Sequence, residues 1–111
     1  MDAKDDNVPH ENCDRDGFLL DPERWDWSFA EALAVRMEIG PLSTTHRRVI
    51  ETVRRHWLST RALPVARIIC GELQLGDHCL TELFGHDLRR LWMVAGLPNP
   101  GEEAKSYMQD M

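Results

Sequence analysis

Between Ser43 and Trp57 the apolar residues recur at steps of three and four, and no other pattern in the chain limits its fold so tightly. His46, Val49, Ile50, Val53 and Trp57 fall on one side of an α-helix. Ser43 stands where an N-cap belongs, with its hydroxyl free to accept an orphan backbone N–H. The opposite side carries Arg47, Arg48, Glu51, Arg54 and Arg55. A stripe of this kind needs apolar partners, and the rest of the chain offers them as shorter helical patterns.

One helix is expected to begin near Asp26 or Ser28, both good caps, with Phe29 and Leu33 on one face and Ala32 between them. Gly40-Pro41 ends it. Beyond a short link through Arg61, Pro64 suits the first position of another helix, whose buried stripe is read as Val65, Ile68, Ile69 and Leu73. Gly76-Asp77 interrupts the chain, and Leu80, Leu83 and Phe84 follow as a brief apolar helix. The run Asp87 to Ala95 buries Leu88, Leu91, Trp92 and Ala95, and Gly96 fits a left-handed C-cap with Pro98 shortly beyond.

These patterns predict a mainly α protein, a small bundle of about five helices joined by short loops, with at most a minimal N-terminal β element at Asp16-Gly17-Phe18-Leu19-Leu20. With 111 residues, 42% of them hydrophobic and four of them Trp, the chain can fill one core. Three parts are expected: an acidic flexible arm over 1–15, a helical domain over 16–98, and a mobile, polar C-terminal tail over 99–111. No apolar run approaches the roughly 20 residues that span a bilayer. The opening Met1-Asp2-Ala3-Lys4-Asp5-Asp6 lacks the apolar stretch of a signal peptide, so a cytoplasmic protein without a membrane role is expected.

The net charge of −6 hides an asymmetry: residues 1–26 carry nine acids against three bases, whereas residues 45–70 carry six Arg against the single Glu51. A local field of that kind steers partners that the overall charge would not. Arg47, Arg48, Arg54, Arg55, Arg61 and Arg67 are therefore the candidate partner- or nucleic-acid-binding residues, since phosphate contacts need Lys or Arg. A solvated or protein-docking face is the plainer reading, because Glu51 sits one helical step from Arg47 and Arg55. The acidic arm is a further candidate to neutralise that face. Trp27, the Trp least committed to a core, could mark a contact surface.

Cys13, Cys70 and Cys79 are odd in number and show no CxxC spacing, so reduced thiols rather than a disulfide framework are expected. Cys13 lies among Glu11, Asp14 and Asp16, whose charges disfavour a thiolate; Cys70 and Cys79 read as small core residues. Cys70, His78, Cys79 and His86 match no standard zinc spacing, and no metal or cofactor is expected. No Ser-His-Asp order, Gly-rich phosphate loop or carboxylate pair stands out.

Several stretches together resemble one family. Asp16-Gly17-Phe18-Leu19-Leu20-Asp21-Pro22-Glu23-Arg24-Trp25 is similar to the "DGFL…W" opening of the DsrC/TusE family. Ala30-Glu31-Ala32-Leu33-Ala34, Glu38-Ile39-Gly40 and Leu42-Ser43 resemble its "A..LA…EGI.LT" segment. His46 with Val49-Ile50 matches "HW.VI" apart from Arg47 in place of Trp. Pro64 with Arg67 matches "P..R", Glu82-Leu83-Phe84 matches "ELF", and Ala95-Gly96-Leu97-Pro98-Asn99-Pro100 is nearly "AGLPKP". The order and gaps hold from about residue 14 to residue 100. The "FPGGP" turn, however, has become Phe84-Gly85-His86-Asp87, and residues 1–13 show no alternating first strand.

The resemblance implies an orthogonal helical fold whose flexible C-terminal arm carries the chemistry. DsrC proteins place a Cys at the penultimate position and a second further in, and serve as sulfur-carrying partner of dissimilatory sulfite reductase. TusE proteins keep only the terminal Cys and pass persulfide sulfur towards tRNA 2-thiouridine. Aligned on "AGLP.P", this chain has Glu103 at the penultimate Cys and Trp92 at the inner one, and no thiol after Cys79. A carboxylate cannot attack a donor sulfur and release it. The expectation is a non-catalytic regulatory or partner-binding protein of sulfur relay or sulfite reduction. Its alternatives are a sulfurtransferase using Cys70 or Cys79 and a helix-turn-helix-like DNA-binding regulator; oligomeric state is left open.

Overall fold

The computed structural model describes residues 13–62 and 65–109. Most of the acidic arm, and Pro64 with its expected place at a helix start, lie outside these residues. The described chain opens on a tight turn. The Asp14 carboxylate accepts the backbone N–H groups of Asp16 and Phe18 at 2.9 and 3.0 Å, Gly17 takes a φ of 98°, and Cys13 faces Leu19 in an isolated antiparallel bridge. That bridge is the minimal β element expected at this end. A single 3-10 turn, Pro22–Arg24, follows.

Six α-helices complete the described fold: α1 Trp27–Arg36, α2 Thr44–Thr60, α3 Ala66–Glu72, α4 Cys79–Phe84, α5 Arg89–Val94 and α6 Glu102–Gln109. Asp26 is the N-cap of α1, its carboxylate accepting from the Phe29 N–H at 2.9 Å. Ser43 caps α2 reciprocally. Its hydroxyl accepts from the His46 N–H, while His46 Nδ1 accepts from the Ser43 N–H. His46 Nε2 then contacts the Leu83 carbonyl at 3.0 Å, which fixes the ring tautomer with its proton on Nε2, and the ring meets Phe84 edge-on. His46 thus completes the cap of α2 and ties α2 to α4.

The core is one cluster built from every helix: Phe18, Ala30, Ala34, Val49, Ile50, Val53, Ile69, Phe84, Leu91, Trp92, Val94 and Leu97 are among its members. α1 lies against α5, α2 against α3, and α3 through α6 follow one another in contact. Burial along α3 departs from the expected stripe. Ile69 and Cys70 are buried, but Val65 and Ile68 are 49% and 58% exposed, because α3 starts at Ala66 and presents a narrower inward face. Among the described residues no helix is long and apolar enough to cross a membrane.

Two findings differ from the sequence reading. Within the stretch read as a polar tail, Glu102–Gln109 is helical, with Met108 in the core. And Cys70 and Cys79 are bonded to each other, which corrects the expectation of reduced thiols and removes that support for a cytoplasmic setting. The short link from α3 to α4 brings the two Cα atoms to 5.9 Å, within disulfide range without any CxxC spacing.

Candidate functional site

The site to test is the arm that leaves α5, because the resemblance places the sulfur chemistry there. Gly96, with φ of 69°, turns the chain out of α5. A Cβ at this position would come within 2.2 Å of the Trp25 ring, so only glycine allows the arm to pass so close. Trp92, at the inner thiol position, is 4% exposed and donates from Nε1 to the Pro98 carbonyl at 2.9 Å. It is a core residue that fastens the root of the arm. Glu103 lies exposed in the first turn of α6, where a negative charge complements the helix dipole.

Beyond the root, the arm is bound to the N-terminal turn. The Asn99 amide donates to Asp14 Oδ2 and Asp16 Oδ2, each at 3.0 Å. Lys105 Nζ reaches Asp16 Oδ2 at 2.7 Å and Glu102 Oε2 at 2.9 Å. These donors, Lys105 first and then Asn99, hold the Asp16 carboxyl below its ordinary range, and the hydrogen bonds to Asp16 and then Glu102 raise Lys105 in turn. Neither Asn99 nor Lys105 was singled out from the sequence. The available signal was the three-residue spacing of Glu102 and Lys105; the link to Asp16 is long-range and has no local signature.

None of the described cysteines lies on this arm. Cys70 and Cys79 are buried as well as bonded, so they present no thiolate to a donor sulfur or to a metal with His78 and His86. Cys13 is half-buried, and its thiol is pushed above the ordinary value, chiefly by burial and further by Asp14. A raised thiol is a poor nucleophile at neutral pH.

The structure divides the six arginines. Arg47 pairs with Glu31 at 2.6 Å and lies over the Trp27 ring. Arg54 lies 4.1 Å from the centre of the Trp25 ring and donates to the Ala95 and Pro22 carbonyls; burial lowers its pKa. Arg55 pairs with Glu72, and Arg61 covers Trp57. Arg48 and Arg67 are exposed and have no such partner among the described residues. Most of the basic face is thus engaged within the molecule, its guanidinium groups serving as lids over half-buried Trp rings. Beside these lids a mainly apolar groove is lined by Trp25, Trp27, Leu58 and Arg55.

Comparison with known proteins agrees with this geometry. Residues 7–102 match the family described as DsrC like protein. The chain belongs to the DsrC family. Among solved structures, it is similar to the oxidized gamma-subunit of the dissimilatory sulfite reductase (DsrC) from Archaeoglobus fulgidus. The two are 30% identical over 80% of this chain and 88% of that one, with a TM-score of 0.66. A structure of dissimilatory sulfite reductase I (DsrI) superposes with a TM-score of 0.71 over 80% of this chain and 86% of that one; at 24% identity it speaks for the fold alone. No curated protein matches the chain. The DsrC-family match stops at residue 102, so nearly all of α6 lies beyond it.

Proposed function

We propose that this DsrC-family chain is a docking protein of sulfite reduction or sulfur relay that occupies its partner without carrying sulfur. One observation carries the reading: the arm position assigned to the family's thiol is Glu103, exposed on α6. Persulfide carriage needs a thiolate that attacks a donor sulfur and later releases it. A carboxylate offers no S–S bond to make or break. The resemblance to a sulfite reductase gamma-subunit supports the same class of partner, since the scaffold is kept while the reactive atom is not. A sulfurtransferase working through Cys70 or Cys79 is disfavoured by their burial and mutual bond. Of the six candidate arginines, a DNA-binding role retains only Arg48 and Arg67 without a partner among the described residues, a small phosphate footprint for that face.

The test has two arms. Incubation with a cysteine desulfurase and its substrate, followed by persulfide-selective alkylation and mass spectrometry, is expected to find no sulfane sulfur on any cysteine of the chain. Calorimetric titration into a dissimilatory sulfite reductase stripped of its gamma-subunit is expected to show saturable binding. Sulfur on the chain would overturn the non-carrying half of the proposal, and absence of binding to reductase and relay proteins the docking half.

A further inference from the structure

The outer face of α2 keeps an apolar concavity open to solvent. Glu51, Arg54, Arg55, Leu58 and Ser59 follow one another along one side of the helix. With Trp25 and Trp27 they line a groove of about 520 Å³ whose surface is predominantly apolar. A groove of this volume lies within the range of ligand-binding clefts. Leu58 is 44% exposed, and the two indole rings meet edge to face with their centres 4.8 Å apart. Exposed apolar surface of this kind gains free energy when a partner covers it, and Trp beside Arg is the pairing that dominates binding at protein interfaces.

The charges around the groove select what can lie in it. Arg47 and Arg55 have Glu31 and Glu72 as partners. Arg54, in the groove wall, has no carboxylate partner among the described residues. It spends two N–H groups on the Ala95 and Pro22 carbonyls, and a guanidinium has further donors to give. A half-buried cation without a counterion is poorly compensated, so an incoming carboxylate is favoured there. Arg48, exposed and also without an acid partner, stands one helical step before Glu51 on the same face. A cationic ligand is disfavoured, because guanidinium groups already cover the Trp25 and Trp27 rings. The same covers deny a nucleobase those ring faces for stacking.

We propose that this groove seats a peptide segment of a partner protein in which one bulky apolar side chain is flanked by carboxylates. The apolar group packs against Trp27 and Leu58, and the acids meet Arg54 and Arg48. The inference deepens the docking reading by giving the chemistry of the partner's surface, and rests on that reading only for which protein supplies the segment. Neither Glu103 nor any thiol takes part in it.

An NMR titration of the full chain with synthetic peptides tests this. The first peptide has Leu-Phe at its centre with Asp and Glu on both sides; the second replaces every acid by Lys, and the third replaces Leu-Phe by Ser-Ser. The first is expected to move the Trp27 indole N–H and the amides of Arg55, Leu58 and Ser59 saturably, with the other two at least about tenfold weaker. Leu58→Glu is expected to weaken binding of the first peptide about tenfold, and Arg48→Glu to weaken it more at low salt than at high salt. Ile68→Glu, which removes an exposed apolar residue on α3, should leave it unchanged. Equal binding of the Lys peptide, undiminished binding by Leu58→Glu, or no saturable shift would overturn the proposal. Groove signals that move with protein concentration would seat a second copy there instead, and signals that move in Asp2→Asn/Asp5→Asn/Asp6→Asn would seat this chain's own acidic segment; either result overturns the partner assignment. So would displacement of the peptide by a single-stranded oligonucleotide. No reductase enters this titration, so a chain that binds the peptide but not the reductase loses the sulfite-reduction reading alone. If reductase affinity is untouched by Leu58→Glu, the docking reading stands and the groove is ruled out as its site.

Discussion

Reducing the Cys70–Cys79 bond should lower the stability of the whole fold by an amount that the loop length sets. The two residues are nine apart, so the bond closes a small loop in the unfolded chain. The loop-closure relation for such a ring gives about 9 cal/mol/K of denatured-state entropy, or about 2.7 kcal/mol at room temperature. Against a total stability of about 5–15 kcal/mol for a domain, that is a large share. It corresponds to a fall of about 10–20 °C in Tm. The assay is urea unfolding followed by Trp fluorescence, with and without a thiol reductant, on the same preparation. The reduced protein should show an earlier midpoint and a steeper denaturant slope, because its unfolded chain exposes more surface once the loop is open. The Cys70→Ala/Cys79→Ala variant should lose somewhat more, since both sulfurs fill core volume. Equal stability of oxidised and reduced protein would refute the reasoning, for the constraint would then be absent or already present in the unfolded chain.

Three further outcomes follow from the packing. Gly96→Ala should cost about 3 kcal/mol or more in chemical unfolding, because a left-handed backbone is strained by any Cβ and the new atom would meet the Trp25 ring at 2.2 Å; a neutral effect would mean the arm passes elsewhere. Arg54→Lys should cost about 2 kcal/mol despite keeping the charge, since an ammonium cannot stack on Trp25 and reach both the Pro22 and Ala95 carbonyls; full rescue by Lys would show that charge alone matters. Acid should destabilise the fold in one direction. Asp16, Glu72 and Asp87 are held below their ordinary values of 3.8, 4.5 and 3.8, Asp16 chiefly by Lys105, Glu72 by His56 and Asp87 by Arg89. Their contribution is complete above those ordinary values and disappears as pH falls through the depressed ones, so stability that rises between pH 5 and pH 3 would contradict these pairings.

How much of this was legible from the residues follows the range of the interactions. The caps at Asp26 and Ser43 and the left-handed Gly96 are local events, and local chemistry announces them. The stripe on α2 was equally plain, with Val49, Ile50 and Val53 all buried. α3 was read too broadly, since a short helix beginning at Ala66 covers only Ile69 and Cys70 fully. The disulfide was missed because a nine-residue separation belongs to no motif; only the turn between α3 and α4 brings the sulfurs together. α6 was missed for a related reason. Glu102 to Gln109 is rich in good helix formers, but so polar an octapeptide needs tertiary contacts such as the burial of Met108 and the bond from Lys105 to the distant Asp16. The arginines were visible as a charged face, whereas their use as covers for Trp25, Trp27 and Trp57 depends on rings brought to α2 by the fold.

Arg54 has a consequence for how the molecule meets others. Its guanidinium touches the backbone at Pro22 and at Ala95, while Trp25 donates to the Val94 carbonyl and Asn99 reaches Asp14. Segments some seventy positions apart in the chain are thereby stitched into a single seam. A partner that grips the outgoing segment at Val94 to Asn99 must brush the incoming one at Asp14 to Trp25 as well.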